Sequence, residues 1–167
     1  GNVKAIGNVV EGADFALSTI VDEPTAASTV LGIRDGAVVD VGCGTPGISI
    51  LEDGKVVFTG DEATGGTHMT LVLAGFERIS TEEAEEKKKD RAQEQDVFPI
   101  IKPVVEKMAS IVQRYIAGYD VGTIYVVGGA SAFDDFESTF QKIIGIPVIK
   151  PAAPLLVTPL GIAMNCT

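Results

Sequence analysis

At 167 residues, with 46% hydrophobic and 22% charged side chains, the chain has the makeup of one globular domain, or of two small subdomains sharing a cleft, and not of a disordered segment. Its net charge of −10, from 23 acidic against 13 basic residues, repels a phosphate backbone and disfavours nucleic acid as a partner. Cys43 and Cys166 lie far apart and His68 is the one histidine, so neither a disulfide framework nor a zinc ligand set is expected, and a reducing cytoplasm fits best.

The amino terminus lacks the charged and apolar regions of an export signal, and no apolar run reaches the roughly eighteen residues of a membrane span. Gly1 and Asn2 open directly into a helical pattern, as the cut end of something longer would. Val3, Ile6, Val9, Val10 and Ala13 recur at helical spacing, and the pattern stops with Gly12, Ala13 and Asp14. Residues 15–21 then read as a buried strand. Pro24 suits a first helical position, and Ala26 and Ala27 carry a helix to about Leu31. Glu23, just before it, is either a capping acid, which is the preferred reading, or a carboxylate aimed into a cleft.

Residues 37–41, 47–51 and 55–59 predict an antiparallel meander with Asp53-Gly54 as one hairpin turn. A second glycine-bearing loop at 60–68 leads into a helix over 69–74, begun by Thr67. Residues 79–95 are densely charged, and Ser80 with Glu83 makes a capping box, so the spacing predicts one exposed helix laced by Glu-Lys pairs. Residues 100–116 form an amphipathic helix whose stripe, from Ile101 through Val104, Val105, Met108, Ile111 and Val112 to Tyr115, belongs to the core. A short strand at 123–127 enters Gly128-Gly129-Ala130-Ser131, followed by a helix over 133–144, a strand at 147–150 and a closing helix over 154–164.

The chemistry concentrates in VVDVGCGTPGISI, residues 38–50. Gly42 and Gly44 permit close approach of backbone N–H groups to an anion such as a phosphate. Asp40 at the strand end suits a hydrated Mg²⁺, which takes few carboxylates and keeps water and phosphate oxygens. Thr45 adds a hydroxyl donor. The plain alternative is a hairpin loop and nothing more. Gly65 and Gly66 precede a helix N-terminus, and Gly128 and Gly129 follow a strand and precede a helix; both arrangements suit an anionic or flat group. His68 reads as surface or packing.

With VDEPTAAS, VVDVGCGT and VVGGAS in this order, the chain resembles the actin-like ATPase superfamily, which includes DnaK-type chaperones, sugar kinases and the bacterial actins. Together with TGGTHMTLVLAGF and PAAPLLVTPLGIAMN, those stretches resemble the ethanolamine-utilisation EutJ family within it. The resemblance implies an α/β, ribonuclease H-like lobe, a mixed sheet with an antiparallel β-meander and flanking helices, that binds ATP or ADP with Mg²⁺. It implies that Asp40, Gly42, Gly44 and Thr45 face phosphates and metal, that Gly65 and Gly66 lie by the phosphates or ribose, and that Gly128 and Gly129 flank the adenosine. A Glu-x-x-Lys pair, Glu85 and Lys88 in preference to Glu86 and Lys89, matches the residues that contact ribose and adenine. Glu23 matches an acid near the metal and the attacking water. No motif like VDVGCGT precedes Glu23, so residues 1–36 are expected to be a remnant of a first lobe and 37–167 a second lobe carrying a helical insert at about 68–98. Such a chain should catalyse poorly alone. The implied partner is a client protein of ethanolamine catabolism, with self-association through surface that a missing lobe leaves bare. The competing expectation is a non-catalytic actin-fold scaffold of the cell-division or pilus-machinery type.

Overall fold

The structure, a computed structural model, describes residues 2–44 and 46–165. Its centre is a five-stranded mixed sheet in the order β3-β2-β1-β4-β5. Strands β1 (Gly36–Asp40), β2 (Gly47–Glu52) and β3 (Lys55–Asp61) form the antiparallel meander expected from the sequence, while β4 (Ile124–Val127) runs parallel to β1, and β5 (Val148–Ile149) parallel to β4. Every residue of β1 is buried, as befits a central strand covered on both faces.

One face is covered by α2 (Glu23–Leu31) and α7 (Pro154–Met164), which enclose Ala27, Val38, Leu51, Val127 and Val157. These two helices meet backbone to backbone: a Cβ on Gly161 would overlap the carbonyl oxygen of Ala26, so only glycine permits this approach. The other face is covered by α3 (Gly66–Glu77), α5 (Glu94–Ile116) and α6 (Phe136–Ile144). The predicted stripe of α5 is buried from Ile101 to Val112, with Tyr115 partly buried against the same core. Pro99 and Pro103 sit inside α5, which starts at Glu94 and not at residue 100. Each proline deletes one helical hydrogen bond, but the buried stripe holds the helix through both.

Two expectations are corrected. Residues 15–21 form no strand; Phe15, Leu17 and Ile20 are exposed. The described sheet ends at β3 and β5 and offers this segment no ladder, without which an extended backbone gains nothing from apolar alternation. Helix α1 (Asn2–Gly12), which precedes it, likewise exposes Val3, Ile6 and Val9. The charged run at 79–95 is not one helix either. The expected capping box starts α4 (Thr81–Lys89), but Asp90 turns the chain out of helical geometry, accepts the Ala92 N–H through its side chain, and starts a short 3-10 turn, Arg91–Gln93, before α5.

Candidate functional site

The carboxyl ends of the parallel strands β1 and β4 lie side by side, with Asp40 paired to Val127. From there the chain departs in opposite directions, β1 to β2 on one side and β4 through α6 to β5 on the other. A crevice at such a divergence is where α/β sheets bind ligands.

Three glycine loops meet here, joined by backbone hydrogen bonds. The Ala130 N–H donates to the Val41 carbonyl at 3.0 Å, the Gly66 N–H to the Gly42 carbonyl at 3.0 Å, and the Thr67 N–H to the Cys43 carbonyl at 2.7 Å. The Thr67 hydroxyl donates to that same Cys43 oxygen at 2.6 Å. The glycines serve different ends. A Cβ on Gly65 would overlap the Gly44 carbonyl, one on Gly66 would stand 2.9 Å from the Gly42 oxygen, and Gly128, at φ +88°, has Asp40 Oδ1 and the Val41 carbonyl where a side chain would begin. These three are required by the packing itself. At Gly42 and Gly44 no described atom lies within 4 Å of the missing Cβ and neither has a left-handed φ. Neither packing nor a left-handed backbone demands glycine at these two positions.

A cavity of about 470 Å³ adjoins these loops, with Gly42, Gly66, Gly129, Glu85 and Lys88 among its lining residues. The structure thus brings five of the expected binding residues to the lining of one cavity, whereas Gly44, Gly65 and Gly128 are not part of that lining, and Thr45 is outside the described residues. Lys89, from the less favoured register of the Glu-x-x-Lys pair, also lines it, as do Cys43, Arg91, Phe133 and Leu155, which were not expected as binding residues; Arg91 and Leu155 carried no local signal beyond their charge and hydropathy.

Glu85 and Lys88 are held in a network that sequence spacing did not reveal. The Lys88 ammonium, with its side chain only 9% exposed, donates to Glu85 at 2.6 Å, to the hydroxyl of buried Thr70 at 2.6 Å, and to the Gly66 carbonyl at 3.0 Å. Thr70 in turn lies 2.5 Å from Glu85. Burial pushes the Glu85 carboxyl up, but hydrogen bonds from Lys88, Thr70 and Lys89 outweigh it and draw it down to about 2. The pair therefore ties α4 to the N-terminus of α3 as well as lining the cavity.

At the strand end, Asp40 is 6% exposed. Glu23 does not cap α2: Asp22 does, its carboxylate accepting the Thr25 N–H and hydroxyl, both at 2.9 Å. Glu23 instead lies in an acidic surrounding. Burial, then the charges of Asp40 and Asp61, hold its carboxyl above the usual carboxylate range. Among the described residues no three His, Cys, Asp or Glu side chains converge to enclose a metal ion. One strand-end carboxylate in an acidic field is a poor zinc site but fits hydrated magnesium, which takes few protein ligands.

Residues 16–156 match the family model described as type IV pilus assembly protein PilM. The chain belongs to that family. EutJ of Salmonella typhimurium strain LT2 is 45% identical over 157 residues, 93% of this chain and 56% of that protein. The crystal structure of EutJ from Carboxydothermus hydrogenoformans has a TM-score of 0.92 at 50% identity, covering 98% of this chain and 60% of that one. MreB 5 of Spiroplasma citri bound to AMPPNP has a TM-score of 0.83 at 18% identity, covering 97% and 63%. The resemblance to EutJ therefore holds across the chain, and the fold is that of the actin-like ATPases. The chain spans little more than half the length of the curated relatives it matches.

Two predictions follow from the geometry of the site. Gly44→Ala is expected to leave the melting temperature within about 2 °C of the parent, whereas Gly65→Ala, which drives a methyl into the Gly44 carbonyl, should cost about 1–3 kcal/mol and lower it by about 4 °C or more, read by thermal circular dichroism. The second concerns Glu23, whose carboxyl titrates above its ordinary 4.5 in the folded chain. Its ionised form is then less favourable folded than unfolded, a penalty present in full above the folded value and absent below 4.5. Glu23→Gln should raise the melting temperature at pH 7 by about 1–2 °C, solvent screening keeping the effect small, and the gain should vanish at pH 4.

Proposed function

We propose that this chain is the ATP/ADP-binding lobe of an EutJ-like actin-fold ATPase, a chaperone-type protein of ethanolamine utilisation acting in the cytoplasm. The observation that carries the reading is the direction of three peptides. The Val41, Gly42 and Cys43 carbonyls each accept a bond from a neighbouring loop. In a trans peptide the N–H points opposite to the C=O, so the amides of Gly42, Cys43 and Gly44 point away from the loops that hold them. Two of these residues are glycines that the fold itself does not require. Three successive outward amides on a bare backbone suit phosphate oxygens.

In this reading the Gly42–Gly44 amides and the Thr45 hydroxyl bind the phosphates, with Gly65 and Gly66 beside them. Gly128 and Gly129 flank the adenosine, and Glu85 and Lys88 meet ribose and base. Asp40 would hold a hydrated Mg²⁺, which when bound neutralises phosphate charge. Glu23 stands near Asp40 as the carboxylate for the attacking water, its raised proton affinity suiting it to act as the general base. The related MreB 5 structure holds AMPPNP, which supports a nucleotide on this fold. Residues 1–36 belong with a first lobe and 37–167 form the second, with a helical insert at about 68–98. Phosphoryl transfer needs groups from both sides of the nucleotide, so this lobe alone binds weakly and turns over negligibly. A client protein would respond to a change in the angle between lobes.

The membership in the PilM family and the exposed Val3, Ile6, Val9, Phe15, Leu17 and Ile20 favour a second reading, a non-catalytic scaffold that associates through this apolar surface. Calorimetric titration with Mg-ADP separates the two. Wild-type binding that is lost in Asp40→Ala and in Gly129→Val, whose added side chain would press on Leu155, is the expected result. Absence of binding in the wild type would reject the nucleotide reading in favour of the scaffold.

A further inference from the structure

Asp40 is the strand-end carboxylate on which the metal reading depends, and the structure shows what fixes its direction. Its Oδ2 accepts a hydrogen bond of 2.6 Å from the hydroxyl of Thr158, 118 residues away in sequence. Its Oδ1 occupies the space that a side chain on Gly128 would fill. One oxygen is thus held by a donor and the other is seated in a glycine notch.

Thr158 lies within α7. A threonine inside a helix has a ready acceptor in the carbonyl four residues back, here that of Pro154. In this chain the Pro154 carbonyl already accepts the Gly128 N–H at 3.0 Å, and the Thr158 hydroxyl turns across to the strand. The first turns of α7 therefore clamp two neighbouring points at once, the loop after β4 through Pro154 and the carboxylate at the end of β1 through Thr158. Gly161, one turn further on, sets α7 directly against the Ala26 backbone of α2, so the helix bearing the hydroxyl cannot drift away from the sheet without losing that contact.

We propose that Thr158 is the positioning residue that aims the Asp40 carboxylate and thereby sets the magnesium-dependent part of nucleotide affinity. The inference rests on the nucleotide reading above. Removing the hydroxyl leaves a buried carboxylate free to rotate away from the phosphate side while the amide loop and the cavity stay in place.

The test is titration of the full chain with ADP, once with magnesium and once with EDTA, for wild type, Thr158→Val and Thr158→Ser. Magnesium should tighten ADP binding to the wild type. Thr158→Val should lose about tenfold of that gain, the effect of losing one hydrogen bond to a charged group, while its affinity for ADP in EDTA stays within about twofold. Thr158→Ser, which keeps the hydroxyl, should restore the gain. If Thr158→Val does not fold, Thr158→Ala removes the same hydroxyl with a better helix former and carries the comparison. Retention of the full magnesium gain without the hydroxyl would overturn the proposal and leave the nucleotide reading standing, as would an equal loss with and without magnesium, which marks a merely structural role. A wild type that binds no ADP, or binds it without any magnesium gain, would overturn the positioning proposal through failure of the reading beneath it.

Discussion

The site depends on the carbonyl groups at the end of β1. Val41, Gly42 and Cys43 each use their C=O to hold another loop, the first binding the chain after β4 and the next two the start of α3. A peptide that spends its carbonyl inward presents its amide outward. The bonds that assemble the three loops thus also fix the direction of these amides, and on the proposed reading the phosphate donors are organised before a ligand arrives.

Charge is arranged around that backbone in two zones. On the cavity side, Lys88 is partly buried and fully engaged with Glu85, Thr70 and the Gly66 carbonyl, so it locks α4 onto α3 as well as lining the cavity. On the strand-end side, burial and then the charges of Asp40 and Asp61 raise the proton affinity of Glu23. An uncompensated acidic field is unfavourable to the isolated chain, and it is the kind of local cost that proteins carry at functional sites. The neutral hydroxyl of Thr158 steadies Asp40 without cancelling its charge, which an arginine or lysine in its place would do.

Much of this was legible from local pattern. The meander showed as short apolar runs with a turn at Asp53-Gly54, the buried face of α5 as helical spacing, and the glycine loops as glycines at strand ends. What escaped was whatever depended on partners distant in sequence. The apolar run at residues 15–21 looked like a strand because sequence does not show whether a neighbouring ladder exists. Glu23 looked like a cap because the acid that does cap the helix, Asp22, is its immediate neighbour, and local pattern did not show which of the two sits just outside the first turn. The break at Asp90 was hidden in an unbroken run of helix-favouring charges. Thr70, Leu155 and Thr158 carried no signal at all, since their places in the site come from contacts made across the fold.

The central claim is that the Gly42, Cys43 and Gly44 amides are the phosphate donors. An amide proton–nitrogen NMR spectrum of the labelled chain, recorded as Mg-ADP is added, tests it most directly. The account predicts that the largest shifts fall on these three amides, with smaller ones at Gly66, Lys88 and Gly129 around the cavity. Shifts that leave all three unmoved and gather elsewhere, on α1 or the β3 edge, would contradict it.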